Sequence, residues 1–398
     1  MGNHKPPSTI ILFILISVAS VAAVIYTPAL PQIKSFFNID SDKVSWAVNL
    51  FLLGYAVGQL IYAPLSNRFN RRHTLFCGLS LASVGAGICI LSYYLQNYYV
   101  LLLGLLVTSL GSCAGLTLAF TIINDVYDAH QSRKVIPMVT LSFSIMPGLG
   151  VFVGSFLVDR FYWPVCFVFL LGYFLFVGLL VYLLPETCKR TDPNALQLSN
   201  IYGRFKEVFS SGKLWYYSLL WGFCTSIVYI FAATAPLVVI TQMQVDPSVY
   251  GMFTLITSFG LLSGTLFTRL MVSLLSPVQM MISGLLIGLV GSVSFVLLSL
   301  FTVIGPWEIF CCMFFVFFGL PAIFTTASSL AAKGQNDKAS ASSVMTFINM
   351  GVTVALFFGV TLLPGDPERV LPEVVLVILL AIALFIFSSR YLSLGEEA

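Results

Sequence analysis

Three arginines, Arg68, Arg71 and Arg72, crowd a short turn between two apolar stretches, with Asn67 before them and His73 after. Guanidinium groups packed so closely can grip a carboxylate or meet lipid phosphate. The carboxylate best placed for them is Asp125, which closes another apolar stretch. The expectation is a latch in which Asp125 pairs with Arg71 or one of its neighbours. Asp125 could instead be a proton site; the plainer alternatives are that it is a solvated helix-end charge or a structural ion pair, and that the arginines only orient the chain and touch lipid phosphates.

A second group of residues is polar but uncharged and lies well inside apolar stretches: Tyr26, Asn49, Tyr55, Thr117, Thr121, Asn124, Tyr229 and Asn349. A side-chain amide in hydrocarbon is costly without a partner. Asn49 and Asn349 therefore lead as lining of a substrate pathway. Hydroxyls of Thr more often bond back to their own helix, so each threonine has a structural reading beside the functional one. The 35 Phe and 17 Tyr suit a wide greasy cavity and suit lipid-facing packing equally.

Charged groups are excluded from these interiors. None of the 16 Asp and Glu residues and none of the 19 Lys and Arg residues falls in the middle of an apolar stretch. His4, His73 and His130 lie in the N-terminal segment or in connecting segments, and the eight cysteines show no Cys-x-x-Cys spacing. No glycine-rich phosphate loop ends in Lys-Ser or Lys-Thr. No nucleophile has a placed base. The reading is therefore not an enzyme, with no cofactor, no metal and no direct use of ATP. A net charge of +3 gives no nucleic-acid signal.

The elements that must position these groups are set by composition. Hydrophobic residues make up 58% of the chain and charged residues 9%, with mean hydropathy +0.97. Soluble chains carry about 25% charged residues, so this is an integral membrane protein. A spanning helix needs about 20 apolar residues. Such stretches occur near 9–30, 44–65, 74–95, 98–124, 136–158, 163–184, 214–240, 249–271, 278–301, 306–331, 340–363 and 371–390. The first has small residues that imitate a signal-peptide cleavage site, yet its length and its proline-containing end favour a retained span. With the N-terminus inside, 15 of the 19 Lys and Arg residues fall on the inner side, leaving Lys34, Lys43, Arg160 and Arg369 outside. That bias places both termini in the cytoplasm.

The longest interior break runs from about Glu186 to Lys213. It divides the chain into two six-span bundles, residues 1–190 and 214–398, joined by a cytoplasmic linker over 191–213. A short repeat supports the division: Gly54-x-x-x-Gly58-Gln59-Leu60 returns as Gly260-x-x-x-Gly264-Thr265-Leu266. In the fifth span, Pro147, Gly150 and Gly154 combine a bend with close-packing residues, and the expectation is a hinge surface on which the halves slide. Pro28, Pro31, Pro236 and Pro321 suggest further kinks.

Several segments together resemble the major facilitator superfamily, and within it the Bcr/CflA-type drug:proton antiporters of bacteria. They are Tyr26-Thr-Pro-Ala-Leu-Pro31, the stretch Gly54 to Arg72, Asp125-Val-Tyr127, Pro147 to Gly154, Trp163, Pro185-Glu186-Thr187, Ala235-Pro236 and Ala339-Ser-Ala-Ser-Ser343. The likeness covers essentially the whole chain. It implies an all-α fold of twelve transmembrane helices in two pseudo-symmetric six-helix bundles. It also implies a monomeric multidrug-type transporter of the bacterial inner membrane that exports a small amphipathic molecule, with protons as coupling ion. In that family a pair like Arg71–Asp125 helps close the cytoplasmic side. The departures are pointed: Asn67 stands where an acid is usual, Asn70 where Gly is usual, Val24 where an acid is common, and Val151 where a second proline is common. No arginine occurs in Leu103 to Val107. The missing charges favour a second reading, an importer or uncoupled facilitator of a small neutral metabolite.

Overall fold

A computed structural model describes residues 7–127, 135, 138–139, 141–188, 192, 194–197, 208–301, 304–332, 338–363 and 367–388. Of the basic residues that set the predicted orientation, Lys5, Arg133, Lys134, Lys189, Arg190, Arg204, Lys206, Lys333 and Arg390 lie outside the described residues, as does most of the 191–213 linker. Twelve helices among the described residues are long and apolar enough to cross a membrane. They are α1 (Thr9–Phe37), α2 (Ser41–Phe69), α3 (Arg71–Leu95), α4 (Tyr98–Val126), α5 (Ser142–Arg160) and α6 (Val165–Tyr182), then α7 (Gly212–Gln242), α8 (Pro247–Met271), α9 (Pro277–Phe301), α10 (Pro306–Ala332), α11 (Lys338–Thr361) and α12 (Pro367–Ser388).

Two of the predicted proline bends interrupt a helix. In α1 a 3-10 turn at Thr27–Ala29 separates Thr9–Val24 from Leu30–Phe37, where Pro28 and Pro31 each remove a backbone donor. In α7 a wider π turn over Leu237–Gln242 follows Pro236. Pro147 and Pro321 sit inside continuous helices.

The helices pair in two equivalent sets. In the first half α4 packs on α1, α2 and α3, while α1 meets α5 and α6 and α3 meets α6. In the second half α10 packs on α7, α8 and α9, while α7 meets α11 and α12 and α9 meets α12. Each of these pairings of the first half thus recurs six helices later. The glycine repeat is the local cause at one of these contacts. A methyl on Gly54 would strike Ser109 and the Leu106 carbonyl, and one on Gly58 would strike Cys113. A methyl on Gly260 or Gly264 would strike the carbonyl of Phe314 or Phe318. So α2 lies against α4, and α8 against α10, at backbone-contact distance, as small residues permit.

The bundles meet along two seams, α2 with α11 and α5 with α8. On the first, Trp46 and Phe358 stack edge to face with centroids 6.2 Å apart. On the second, Gly148 faces Ser258 and Gly251 faces Ser155, and the hydroxyls of Ser144 and Thr265 are 2.9 Å apart. Thr265 already donates to the Leu261 carbonyl, and a hydroxyl has one proton, so Ser144 is the donor. A further contact joins the Leu30–Phe37 end of α1 to the far end of α7. That is the face opposite the arginine turn.

The expectation for the fifth span needs correction at two positions. Gly150 lies against Val21 and Val24, and Gly154 against the Ile25 carbonyl, all on α1 of the same bundle. The face of α5 that meets the other half is built from Ser144, Gly148 and Ser155 instead. The seven-residue step from 148 to 155 keeps both on one side of the helix, while 150 and 154 point elsewhere.

Candidate functional site

Two polar constellations stand out. The first lies at the face where a single residue, Asn70, joins α2 to α3. Arg71 is the only charged side chain among the described residues that is buried, at 9% exposure. Its Nε donates to Asp125 Oδ2 at 2.9 Å. Its Nη1 donates to the Ser66 carbonyl at 2.7 Å and to Asn67 Oδ1 at 2.9 Å. Asn67 thus serves as a neutral acceptor where the resemblance led one to expect an acid. Arg68 and Arg72 take other places. Arg68 stands 6.0 Å from the Phe69 ring centre, and Arg72 lies 4.6 Å over the Tyr182 ring, a cation–π contact. The cluster therefore joins Asn67, Arg71 and Asp125 but not Arg68 or Arg72.

Sequence reasoning missed the third segment of this cluster. The carboxylate of Glu186, just after α6, accepts the backbone N–H groups of Arg71 and Arg72, both at 3.1 Å, and of Thr187 and Cys188, both at 3.0 Å. An anion at the first turn of α3 suits the free N–H groups and positive end of that helix. Thr187 also donates to Asp125 Oδ2 at 3.3 Å, and the Asp192 N–H reaches the Asn67 carbonyl at 2.9 Å. The signal was present as Pro185-Glu186-Thr187 on the same predicted side as the arginines. Apart from Asp192 at the start of the linker, these residues belong to the first half, so the cluster as it stands braces one bundle rather than bridging two.

The second constellation lies deeper. Tyr26 is fully buried between the rings of Phe51 and Phe167, and its hydroxyl donates to the Ala47 carbonyl at 3.4 Å. Tyr55 is buried on α2, and Tyr229 is buried on α7 of the other bundle. Thr117 donates to Gln59 Oε1 at 2.8 Å, tying α4 to α2. Gln59, a residue of the glycine repeat, keeps a buried Nε2 with no partner among the described residues. Thr121 bonds back to the Thr117 carbonyl, as Thr27, Thr325 and Thr326 bond back within their own helices. Asn124 lies on α4, and its side chain is outside the described residues. Asn49 on α2 and Asn349 on α11 are 7% and 1% exposed, and neither amide oxygen nor nitrogen of either has a hydrogen-bond partner among the described residues. No group of His, Cys, Asp and Glu among the described residues could hold a metal ion, and the cysteines there are free thiols.

Twelve spanning helices in two equivalent sets have close counterparts among known proteins. The family model of the Major Facilitator Superfamily matches residues 12–360. The chain belongs to this superfamily. It is therefore a membrane transporter rather than an enzyme. An uncharacterized transporter of Rickettsia bellii is 29% identical over 289 residues, spanning 70% of this chain and 69% of that protein. Multidrug resistance protein D of Escherichia coli is 26% identical over 162 residues, 41% of this chain and 40% of that protein. The match thus spans well under two thirds of that second relative. Among solved structures, the D-xylose-proton symporter superposes with a TM-score of 0.76 at 15% identity, covering 95% of this chain and 97% of the other. That likeness is one of fold.

Proposed function

We propose that this superfamily member is a secondary transporter that exports a small amphipathic molecule across the bacterial cytoplasmic membrane by alternating access. What supports the reading is that the helices by which the halves meet, α1 with α7 and α2 with α11, carry buried polar side chains: Tyr26, Asn49 and Tyr55 in one half, Tyr229 and Asn349 in the other. Residues drawn from both bundles change their mutual distance when the bundles rock, which is what exposing one site to either side in turn requires. The relative named a multidrug resistance protein supports an amphipathic cargo. The chain acts as a monomer, with residues 1–190 and 214–398 moving as two bodies joined by 191–213. The charge bias supports cytoplasmic termini and puts the Arg71 cluster on the cytoplasmic side. There Arg71, Asp125 and Asn67 hold the α2–α3 turn in shape as a latch against the second bundle. Pro147 bends α5 where it follows the seam.

One observation favours the second reading. No span carries a carboxylate in its interior, and such groups are the usual proton relays of membrane transporters. Flux in proteoliposomes with and without an imposed pH gradient separates the two. Uphill movement driven by the gradient supports a proton antiporter and makes Asp125 its carboxylate, to be tested with Asp125→Asn. Flux that runs only downhill and ignores the gradient supports a facilitator. No flux of any member of a broad panel overturns both.

A further inference from the structure

We infer that the pathway takes an uncharged molecule bearing an amide- or polyol-type donor and acceptor, and that Asn49 and Asn349 read it from opposite bundles. The inference rests on the transporter reading above and names the substrate class of that same site. An asparagine side chain offers two N–H donors and an oxygen with two lone pairs. Burying it without partners costs about 1–3 kcal/mol on the protein scale. Here that cost is incurred twice, at 7% and 1% exposure, with no partner among the described residues for any of the four polar atoms. Gln59 differs: its oxygen accepts from Thr117 and ties α2 to α4, and only its nitrogen lacks a partner among the described residues.

Place in the fold adds the second half of the argument. Asn49 is on α2 and Asn349 on α11, and these two helices form one of the seams between the bundles. The Asn349 backbone also lies beside Gly222 of α7, the helix that carries Tyr229. A ligand held by one amide from each bundle ties its own binding to the approach of the bundles. Charge decides the ligand class. No Asp, Glu, Lys or Arg occupies a span interior, and the buried guanidinium of Arg71 is already paired with Asp125. A charged cargo entering this interior would lose hydration and meet no counter-ion. A neutral amide or polyol would meet donors and acceptors of its own kind.

The test uses the full chain, purified in detergent, and three probes built on one ring. Nicotinamide presents a neutral amide, nicotinate a carboxylate, and 1-methylnicotinamide the same amide with a fixed positive charge. A ligand that binds only the folded state raises the melting temperature by an amount that grows with its concentration relative to its dissociation constant. The expected result is a rise with nicotinamide and none with either charged probe. Asn49→Leu and Asn349→Leu should each bind nicotinamide about tenfold more weakly, the worth of one well-made neutral hydrogen bond. Their own melting temperatures should equal or exceed the native one, which shows that they fold and that no structural partner was lost. Equal stabilisation by a charged probe, a nicotinamide shift that survives both substitutions, or no shift with any probe would overturn the assignment. The transporter reading falls separately, if no compound of the proteoliposome panel is carried.

Discussion

The two halves of the molecule begin an equivalent helix in different ways. Both α3 and α9 follow a turn at the same face and start with free backbone N–H groups. In the second half the answer is local and neutral. The Ser276 hydroxyl accepts the Gln279 N–H at 3.3 Å, and the Gln279 side chain accepts the Ser276 N–H at 3.0 Å, a reciprocal cap between residues three apart. In the first half the cap is Glu186, more than a hundred residues away, and it brings Thr187, Asp125 and Arg71 with it. The neighbouring cation of the second half, Arg269, is exposed and in no ion pair among the described residues. Capping alone can be done by neighbours, as Ser276 and Gln279 show. The first half ties three segments to one turn, so its charges serve something beyond helix capping.

What the halves share should break first and equally. Gly58→Leu forces a side chain into Cys113 of α4, and Gly264→Leu forces one into the Phe318 carbonyl of α10. Ordinary overpacking costs about 1–3 kcal/mol. Here a helix backbone must retreat, and the expected result is loss of monodisperse protein in size-exclusion chromatography for both variants alike. Survival of one variant but not the other would show that the halves are not equivalent in packing.

What the halves do not share should break unequally. Asp125→Asn leaves the Arg71 guanidinium, whose side chain is 11% exposed, without its counter-charge. Removing one partner of a fully buried pair costs about 3–5 kcal/mol. With Asp125 itself 23% exposed, about 1–3 kcal/mol is expected. Arg269→Ala, at the equivalent face of the second half, should stay within about 0.5 kcal/mol. Thermal unfolding of the two variants side by side checks this, and equal shifts would remove the distinction drawn between the halves.

How much of this was legible follows from which forces are local. The spans were visible because a hydrocarbon interior demands continuous apolar runs. The glycine repeat was visible because close helix contact demands small residues at fixed spacing. Arg71 and Asp125 were nameable as partners because two opposite charges ended spans at one side. Glu186 was not, since a carboxylate in a loop looks solvated until the fold brings the start of α3 to it. The Gln59–Thr117 bond was hidden for the same reason. Gly150 and Gly154 were placed on the wrong surface because small residues announce a close contact without naming the neighbour. The aromatic cluster of Phe36, Phe37, Tyr93, Tyr162 and Trp163 was equally invisible among so many aromatic residues.

A small effect of the opposite sign is expected at the turn itself. Asn70 alone separates α2 from α3, with φ 73° and ψ 158°. That region is open to glycine and costs other residues about 1–3 kcal/mol. The turn between α8 and α9 is longer, spanning Val272 to Ser276, and needs no positive φ among its non-glycine residues. Asparagine tolerates left-handed backbone better than most residues, yet the Asn70 side chain makes no hydrogen bond among the described residues to offset the strain. Its carbonyl carries the local bonds, accepting from the N–H and hydroxyl of Thr74, and those survive any substitution. Asn70→Gly should therefore raise stability by about 0.5–1 kcal/mol, the relief of strain less the greater freedom glycine gives the unfolded chain. The gain should vanish in the Asp125→Asn background if the ion pair is what holds the turn in this conformation, because the turn could then relax without glycine. A gain of the same size in both backgrounds would mean that the one-residue connection alone sets the strain, and that the charges beside it were added to a turn already fixed by the helices.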